Sequence, residues 1–231
     1  MKEPINVGLL GFGTVGCGVY RILEKNAEEF TTRTGSSINI RKILVNDLTK
    51  VRDVEVPSSL LTNRVEDVLG DPDIDIVIEV MGGVEEAKAY ISSALEHHKH
   101  VVTANKDLLA LHGGELLTSA AKHHCDLYYE ASVAGGIPII RSLVGGLASD
   151  RITKLMGIVN GTTNYILTRM TKEGAEYDEV LRDAQELGYA EADPTGDVEG
   201  LDAARKMVIL ATLGFSMKFK LEDVTTSGIS Q

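Results

Sequence analysis

The chain has 231 residues, of which 43% are hydrophobic and 25% charged, so it has the composition of a globular protein with one large or two small domains. Its net charge of -11 argues against nucleic acid or an anionic membrane surface as a partner, because both require clustered lysines and arginines. No apolar run approaches the roughly 20 residues of a membrane span, and we expect no secretory signal at the N-terminus.

Strand and helix patterns alternate through the first half of the chain. An apolar strand, "INVGLLGFG", runs into glycines and is followed by helical spacing in "TVGCGVYRILEKNAEEF". Further strands are predicted at "INIRKILVND", "DIDIVIEVMGG" and "KHVVTANK", with an amphipathic helix at "VEEAKAYISSALEHH". This alternation predicts an α/β fold with a parallel sheet and right-handed crossovers.

Helical patterns predominate after "CDLYYEASVAGGIPII". They cover "TTNYILTRMTKEG", "EYDEVLRDAQELG" and "EGLDAARKMVILATLGF", and one strand is predicted before them at "ITKLMGIVNG". We therefore expect a domain boundary near Glu130, with an α/β domain over residues 1–130 and an α+β domain over residues 131–231. The sequence between them contains no Pro/Ser-rich linker, so we expect the two domains to pack closely.

The first strand ends in a glycine loop, Gly11-Phe12-Gly13-Thr14-Val15-Gly16, that opens the first helix. In this context the GxGxxG pattern is typical of a Rossmann dinucleotide-binding domain, although a structural turn is the alternative. Gly11 permits the tight turn, Gly13 lets the backbone approach a pyrophosphate, and Gly16 lets the helix and strand pack closely. The helix N-terminus then offers free N–H groups to the anion.

The end of the second strand bears on the choice between NAD and NADP. An acid at this position binds the adenosine ribose of NAD, whereas basic residues favour the 2′-phosphate of NADP. The chain has Asn46 and Asp47 there, and Lys50 and Arg52 follow shortly after. Asp47 favours NAD, but the two basic residues could hold a phosphate, so both cofactors stay open.

An acid-rich stretch, "AEADPTGDVEGLDAARK", closes on a lysine. Asp202 and Lys206 are four residues apart and therefore share one helical face. They could form an ordinary surface ion pair, but the apolar residues around them predict burial. Glu191 and Asp197 could clamp a cationic group; a solvated acidic loop is the alternative, and Asp197 could also cap a helix.

Three other groups of residues have simpler interpretations. Glu130 and the turn "SVAGGIP" could form a hard-cation cage or a plain turn. "NGTTNY" could be a helix N-terminus capped by Thr162 or Thr163. The histidines are better explained as residues near helix ends than as a metal cluster; they are His97, His98, His100, His123 and His124.

Four segments together resemble homoserine dehydrogenase across essentially the whole chain. They are "VVTANKDLLALHG", "YYEASVAGGIPII", "GIVNGTTNYIL" and "GYAEADPTGDVEGLDAARK". The resemblance implies an oxidoreductase that interconverts L-homoserine and L-aspartate 4-semialdehyde with NAD or NADP, in the biosynthesis of threonine, methionine and isoleucine.

The resemblance also implies roles for individual residues. The glycine loop Gly11–Gly16 would bind the cofactor, Lys106 would lie beside the nicotinamide and the substrate, and Lys206 would be the proton donor. Asp202 would lie next to the reacting end of the substrate. The remaining substrate-binding residues would be Glu191, Asp197, Gly161 and Thr162. A sodium site would be formed by Glu130, Val133, Gly135 and Ile137.

The chain departs from the family pattern in two places. At the end of the second strand, the family often has a basic residue that binds NADP, whereas this chain has Asn46. The family also continues beyond "VTTSGISQ", completing a dimer-forming sheet, so we expect this chain to be truncated and the full-length protein to be a homodimer.

Two other functions remain as alternatives. An acylating semialdehyde dehydrogenase would need a nucleophilic cysteine, for which Cys125 is the candidate, although it does not look activated. A dinucleotide-binding regulatory module without turnover is the second. The two cysteines, Cys17 and Cys125, are far apart and form no CxxC pair, which favours a reducing cytoplasm and two buried thiols.

Overall fold

The computed structural model describes residues 3–230, which form two compact units. The first unit ends at Ser132 and the second begins at Val133. Within residues 3–230, no helix is both long and apolar enough to cross a bilayer.

A parallel sheet forms the centre of the first unit. Its strands are β1 (Ile5–Leu10), β2 (Ile38–Leu44), β3 (Leu61–Thr62), β4 (Ile76–Glu79), β5 (His100–Thr103) and β6 (Leu127–Tyr128). They lie in the order β3-β2-β1-β4-β5-β6, and every neighbouring pair is parallel. The direction of winding reverses between β1 and β4, which is where doubly wound sheets bind ligands, outside the carboxyl ends of the strands.

Helices cover both faces of this sheet. They are α1 (Thr14–Lys25), α2 (Ala27–Thr34), α3 (Glu66–Leu69), α4 (Glu85–Glu96) and α5 (Lys106–Lys122). Leu9 packs with residues of α1, whereas its neighbour Leu10 packs with residues of α3, α4 and α5. Successive side chains of a strand point to opposite faces, so β1 is buried on both sides, as its continuous apolar run predicts.

The predicted α/β fold is confirmed, with differences in detail. The helical pattern after the glycine loop is not one helix, because it breaks at Asn26 into α1 and α2. β3 and α3 were not predicted; they have only two and four residues, too few to show a periodicity.

The second unit is helical in the residues that the structure describes. Its helices are α6 (Ile139–Arg141), α7 (Gly161–Glu173), α8 (Tyr177–Glu186), α9 (Thr195–Val198) and α10 (Leu201–Gly214), with a π-helical turn at Ser142–Gly146. A buried cluster joins α7, α8 and α9; it contains Ile166, Val180, Ala184, Ala190 and Val198.

The strand predicted at "ITKLMGIVNG" is not formed. Residues 151–160 have no regular secondary structure, and Met156 and Ile158 are 77% and 80% exposed. A strand is stabilised by pairing with a neighbour, and residues 133–230 contain no other strand to pair with. The apolar residues of this segment therefore predicted the wrong local structure.

Candidate functional site

The glycine loop of the first unit has the geometry of a nucleotide-binding turn. Gly11 has a φ of +97°, and a Cβ on it would lie 2.8 Å from the carbonyl oxygen of Val80. A Cβ on Gly16 would lie 2.3 Å from the carbonyl oxygen of Gly11, so only glycine allows α1 to begin this close to the turn. Gly13 differs, since a Cβ there would meet nothing within 4 Å, and this open side leaves room for a ligand.

The start of α1 is free of capping and acidic side chains that would compete with a bound anion. Gly13 is its N-cap, no side chain caps the helix, and no acid lies in its first turn. Backbone N–H groups at such a helix start favour negative charge.

A cleft of about 630 Å³ lies over this loop, within the usual size range of ligand pockets. The residues around it come from three places: the glycine loop, the end of β2 and the turn after β4. They are Gly11, Phe12, Gly13, Leu44, Val45, Asn46, Asp47, Lys50, Arg52, Val80, Met81, Gly82, Gly83 and Glu86. Thr14, Val15 and Gly16 are not among them.

The β2 side of this cleft is basic as well as acidic. Thr49 donates both its N–H and its hydroxyl to Asp47 Oδ1, each at 2.7 Å. These hydrogen bonds, with a smaller contribution from the nearby Arg52, hold the pKa of Asp47 below its usual value. The Arg52 guanidinium lies 5.8 Å from the ring centroid of Phe12, a cation–π distance, and donates to the carbonyls of Lys50 and Asp47. Asp47 is therefore engaged in its own turn, whereas Arg52 is held beside the glycine loop.

Lys106 is the first residue of α5, in the same unit. The helix is capped by Asn105, whose side-chain oxygen accepts from Leu108 N at 3.1 Å. Lys106 is partly buried and does not line the 630 Å³ cleft.

The second unit has its own cleft, of about 820 Å³, between the starts of α7 and α10. Its residues are mostly polar: Asn160, Gly161, Thr162, Asn164, Tyr165, Thr168, Arg169, Glu173, Tyr189, Asp197, Asp202 and Lys206. Four of the predicted substrate or catalytic residues of this unit therefore share a cleft with Lys206.

Lys206 and Asp202 form a largely buried ion pair in this cleft. Lys206 Nζ lies 2.5 Å from Asp202 Oδ2, and the two side chains are 18% and 12% exposed. Lys206 also donates to the carbonyl oxygen of Val159 at 2.8 Å. The prediction that both residues lie on one buried helical face is confirmed, and a solvated surface pair is ruled out.

Asn160 forms hydrogen bonds to two acids of the cleft, and it was not predicted from the sequence as a site residue. Its Nδ2 donates to Asp197 Oδ1 at 2.6 Å and to Asp202 Oδ2 at 3.0 Å. Its Oδ1 accepts from the N–H and the hydroxyl of Thr163, which makes Asn160 the N-cap of α7. The cap was expected at Thr162 or Thr163. An asparagine directly before "GTTNY" is itself a common N-cap signal.

Two further expectations about this region need adjustment. Asp197 lies inside α9 and does not cap a helix, since α10 begins after Gly200. The Thr162 hydroxyl donates to the carbonyl oxygen of Tyr189 at 2.7 Å, so toward a ligand it can only accept.

Two family models match the chain. The one described as "Homoserine dehydrogenase, NAD binding domain" matches residues 11–130, and the one described as "Homoserine dehydrogenase" matches residues 138–231. The chain belongs to the homoserine dehydrogenase family.

Individual homoserine dehydrogenases are similar over nearly the whole chain. That of Bacillus subtilis (strain 168) is 62% identical over 229 residues, which is 99% of this chain and 53% of its own length. The crystal structure of the Thiobacillus denitrificans enzyme matches with a TM-score of 0.92 at 48% identity, covering 99% of this chain and 53% of that one. A hyperthermophilic archaeal homoserine dehydrogenase in complex with NADPH matches with a TM-score of 0.78 at 27% identity, over 94% of this chain and 71% of that one. The chain spans about half the length of the curated relatives it matches.

The other residues expected of a homoserine dehydrogenase are more scattered. Glu191 is exposed and does not line the cleft of the second unit. Of the expected sodium ligands, Glu130 lies in a 3₁₀ turn of the first unit, and the others lie in the turn that opens the second: Val133, Gly135 and Ile137. Their roles stay predictions.

The cysteines and histidines offer no competing chemistry. Cys17 and Cys125 are both buried and reduced, and burial raises the pKa of the Cys125 thiol, which is the opposite of activation. In the described part of the chain, no group of three or more His, Cys, Asp or Glu side chains could hold a metal ion.

Proposed function

We propose that the protein catalyses the NAD(P)-dependent interconversion of L-homoserine and L-aspartate 4-semialdehyde. The observation that carries the proposal is the largely buried Lys206, which lines a polar cleft. Its ammonium group pairs with Asp202, and Asn160 donates to the same carboxylate oxygen. The family of the chain supplies the identity of the substrate, and the reaction lies on the route to threonine, methionine and isoleucine.

Lys206 would give its proton to the aldehyde oxygen during reduction and take it back during oxidation. When bound, NAD(P)H supplies the hydride. Two of the three Lys206 N–H donors are used by Asp202 and Val159 among the described residues, so one is left for a ligand oxygen. Lys106 would stabilise the negative charge that develops on that oxygen.

The rest of the cleft suits the amino-acid end of homoserine. Asp197 presents a carboxylate for the α-ammonium, and charge-assisted hydrogen bonds of this kind are about twice as strong as neutral ones. Gly161 and Thr162 lie at the start of α7, where backbone N–H groups favour the α-carboxylate. Glu191 would add to the ammonium clamp, although its side chain lies outside the cleft in this structure.

The cofactor is proposed to be NADP rather than NAD. Lys50 and Arg52 both line the cleft over the glycine loop, on the β2 side where the adenosine ribose binds in such folds. Asp47 is occupied by Thr49 and is a weaker candidate for the ribose hydroxyls. The complex of the archaeal relative with NADPH is in line with this choice.

Sodium binding and dimerisation are further proposals. A sodium ion would take the Glu130 carboxylate and three main-chain carbonyls, which are the hard oxygen ligands that such cations prefer. A homodimer of the longer protein would cover exposed apolar side chains of the second unit: Ile137, Val144, Met156 and Ile158. Thermal unfolding in sodium against choline salts tests the first, and the molar mass of the full-length protein in solution tests the second.

We propose the cytoplasm as the compartment, since both thiols are free.

The decisive experiment is homoserine-dependent formation of NAD(P)H by this chain, measured beside a longer version with the length of the relatives. Turnover by either version supports the proposal. Binding of NAD(P)H by both versions without any turnover would instead support the regulatory module.

A further inference from the structure

Glu79, the last residue of β4, is an acid with no exposed surface. Burial of a carboxylate costs several kcal/mol unless hydrogen bonds replace its water. Glu79 has two such bonds: Oε1 accepts from the N–H of Met81 at 2.9 Å, and Oε2 accepts from the hydroxyl of Thr103 at 2.6 Å. None of the roles described above uses this residue.

The bond to Thr103 continues into a chain of hydrogen bonds. Thr103 Oγ1 accepts from the N–H of Asn105 at 3.0 Å, and Asn105 Nδ2 donates to the carbonyl oxygen of Gly83 at 2.6 Å. Asn105 also caps α5, directly before Lys106. One carboxylate thus links the turn after β4, residues 81–83, to the start of α5.

The position of this turn identifies what it would hold. The turn lines the dinucleotide cleft on the β4 side of β1, and the residues placed at the adenosine end lie on the β2 side. Because β2 and β4 flank β1 on opposite sides, a dinucleotide with its adenosine on the β2 side would place its nicotinamide half beside the 81–83 turn.

We propose that Glu79 is a positioning residue for the nicotinamide half of the cleft. It holds the 81–83 turn against the start of α5, and so fixes both the cleft wall and the backbone that carries Lys106. The inference rests on the proposed function, since it requires the cleft to bind NAD(P).

The direction of the hydrogen bonds explains why the position needs a carboxylate. The groups that face its two oxygens are both donors: the Met81 N–H, and the Thr103 hydroxyl, whose oxygen already accepts from Asn105. A glutamine has nearly the same size but only one acceptor atom. In one orientation its NH₂ group would face the Met81 N–H, so that bond would be lost. In the other orientation the NH₂ group could donate to Thr103 Oγ1, but the buried hydroxyl proton would then lose its acceptor.

The test compares the affinity for the whole dinucleotide with the affinity for its adenosine half. We would measure the affinity of the wild-type chain and Glu79→Gln for NADPH, for NADH, and for the adenosine half alone, as ADP and as its 2′-phosphate derivative. The expected result is a loss of roughly tenfold or more in affinity for the whole cofactor, with the adenosine half bound within about twofold of wild type, because the displaced turn lies only on the nicotinamide side.

Two further comparisons separate positioning from general stability. Lys99→Met removes another buried charge, directly before β5, which donates to the carbonyls of Asp71 and Ile74 away from the cleft. It should lower the unfolding temperature and leave all affinities unchanged. Thr103→Val removes the hydroxyl at constant shape and should reproduce the loss seen in Glu79→Gln. Thr103→Ser keeps the hydroxyl and should restore whole-cofactor binding.

Each outcome bears on the proposal. Equal binding of whole cofactor by wild type, Glu79→Gln and Thr103→Val overturns it, as does an equal loss for the whole cofactor and its adenosine half. If Glu79→Gln does not fold, the Thr103→Val and Thr103→Ser pair decides in the same way. A wild-type chain that binds neither cofactor overturns both this inference and the proposed function, whereas binding by wild type with unaffected variants overturns this inference alone.

Discussion

The ammonium group of Lys206 lies 2.5 Å from the carboxylate of Asp202, one helical turn away, with both side chains mostly shielded from water. Burial removes water from both charged groups, and the attraction between them offsets only part of this desolvation penalty. The pair therefore contributes little to the free energy of unfolding. Its place in a polar cleft fits the proposed role of Lys206 as the proton donor, with Asp202 holding the ammonium group in orientation.

Replacing Lys206 by alanine should reduce turnover by about 10²- to 10⁴-fold, the usual contribution of a general acid. NADPH affinity should stay nearly unchanged, because the cofactor cleft lies in the other unit. Steady-state kinetics and fluorescence titration measure the two quantities. Lys172→Ala, which removes an exposed lysine of α7, is the matched control and should leave both unchanged. Retained turnover in Lys206→Ala would remove this residue from the mechanism.

Asn160→Asp separates the two functions of Asn160. The substitution keeps an oxygen to cap α7, so the fold should be preserved, but it replaces the donor to Asp197 and Asp202 by a third negative charge. We expect the KM for homoserine to rise and kcat to fall, each by roughly tenfold, through repulsion among the three acids.

In thermal unfolding, Asn160→Asp should keep the cap but lose some stability through the same repulsion, whereas Asn160→Ala should lose about 1 kcal/mol with the cap. Thr171→Asp adds a negative charge at an exposed position of the same helix, outside the cleft, and serves as control. Kinetics equal to those of the control would mean that Asn160 acts only as a cap.

The contrast between these residues shows how far the sequence could predict the site. Asp202 and Lys206 are four apart on a helix, so a local rule brings them together. Asn160 reaches Asp197 and Asp202 from 37 and 42 positions away, and no local periodicity encodes that contact. Glu79 was hidden for a related reason, since it reads as one polar residue in an apolar strand until β5 supplies Thr103 beside it.

The same difference between local and long-range interactions decides which parts of the fold could be predicted. The glycine loop and the buried strands of the first unit could be predicted, because turn geometry and two-sided burial depend on neighbouring residues. The strand expected at residues 151–160 could not, because strand formation depends on a partner elsewhere in the molecule. The apolar residues within 152–158 therefore indicate a segment able to pair as a strand, without showing that it does so.

Cofactor preference should depend on Lys50 and Arg52. The double variant Lys50→Ala/Arg52→Ala should bind NADPH about 10- to 100-fold more weakly, since hydrogen bonds to charged groups contribute roughly 1.5–3 kcal/mol, while NADH affinity changes little. The NADPH affinity of the wild type should fall with rising salt, and that of the variant should fall less steeply. Lys42→Ala removes a partly buried lysine of β2 that does not line the cleft, and it is the control. Equal losses for NADPH and NADH would contradict a 2′-phosphate site.

Cys125 should be dispensable for turnover. Its thiol is buried against the carbonyls of Leu95 and His123, and burial together with the nearby Asp126 raises its pKa, so the reactive thiolate is scarce near neutral pH. Alkylation of the native protein with iodoacetamide at pH 7.5 should therefore be slow at this position, and it should accelerate only as the pH rises above the ordinary thiol pKa of about 8.5. Cys125→Ser should retain at least half of the wild-type kcat, with Cys17→Ser as the matched buried control. An acylating dehydrogenase requires the opposite result, because loss of the nucleophile would remove the covalent intermediate and abolish turnover.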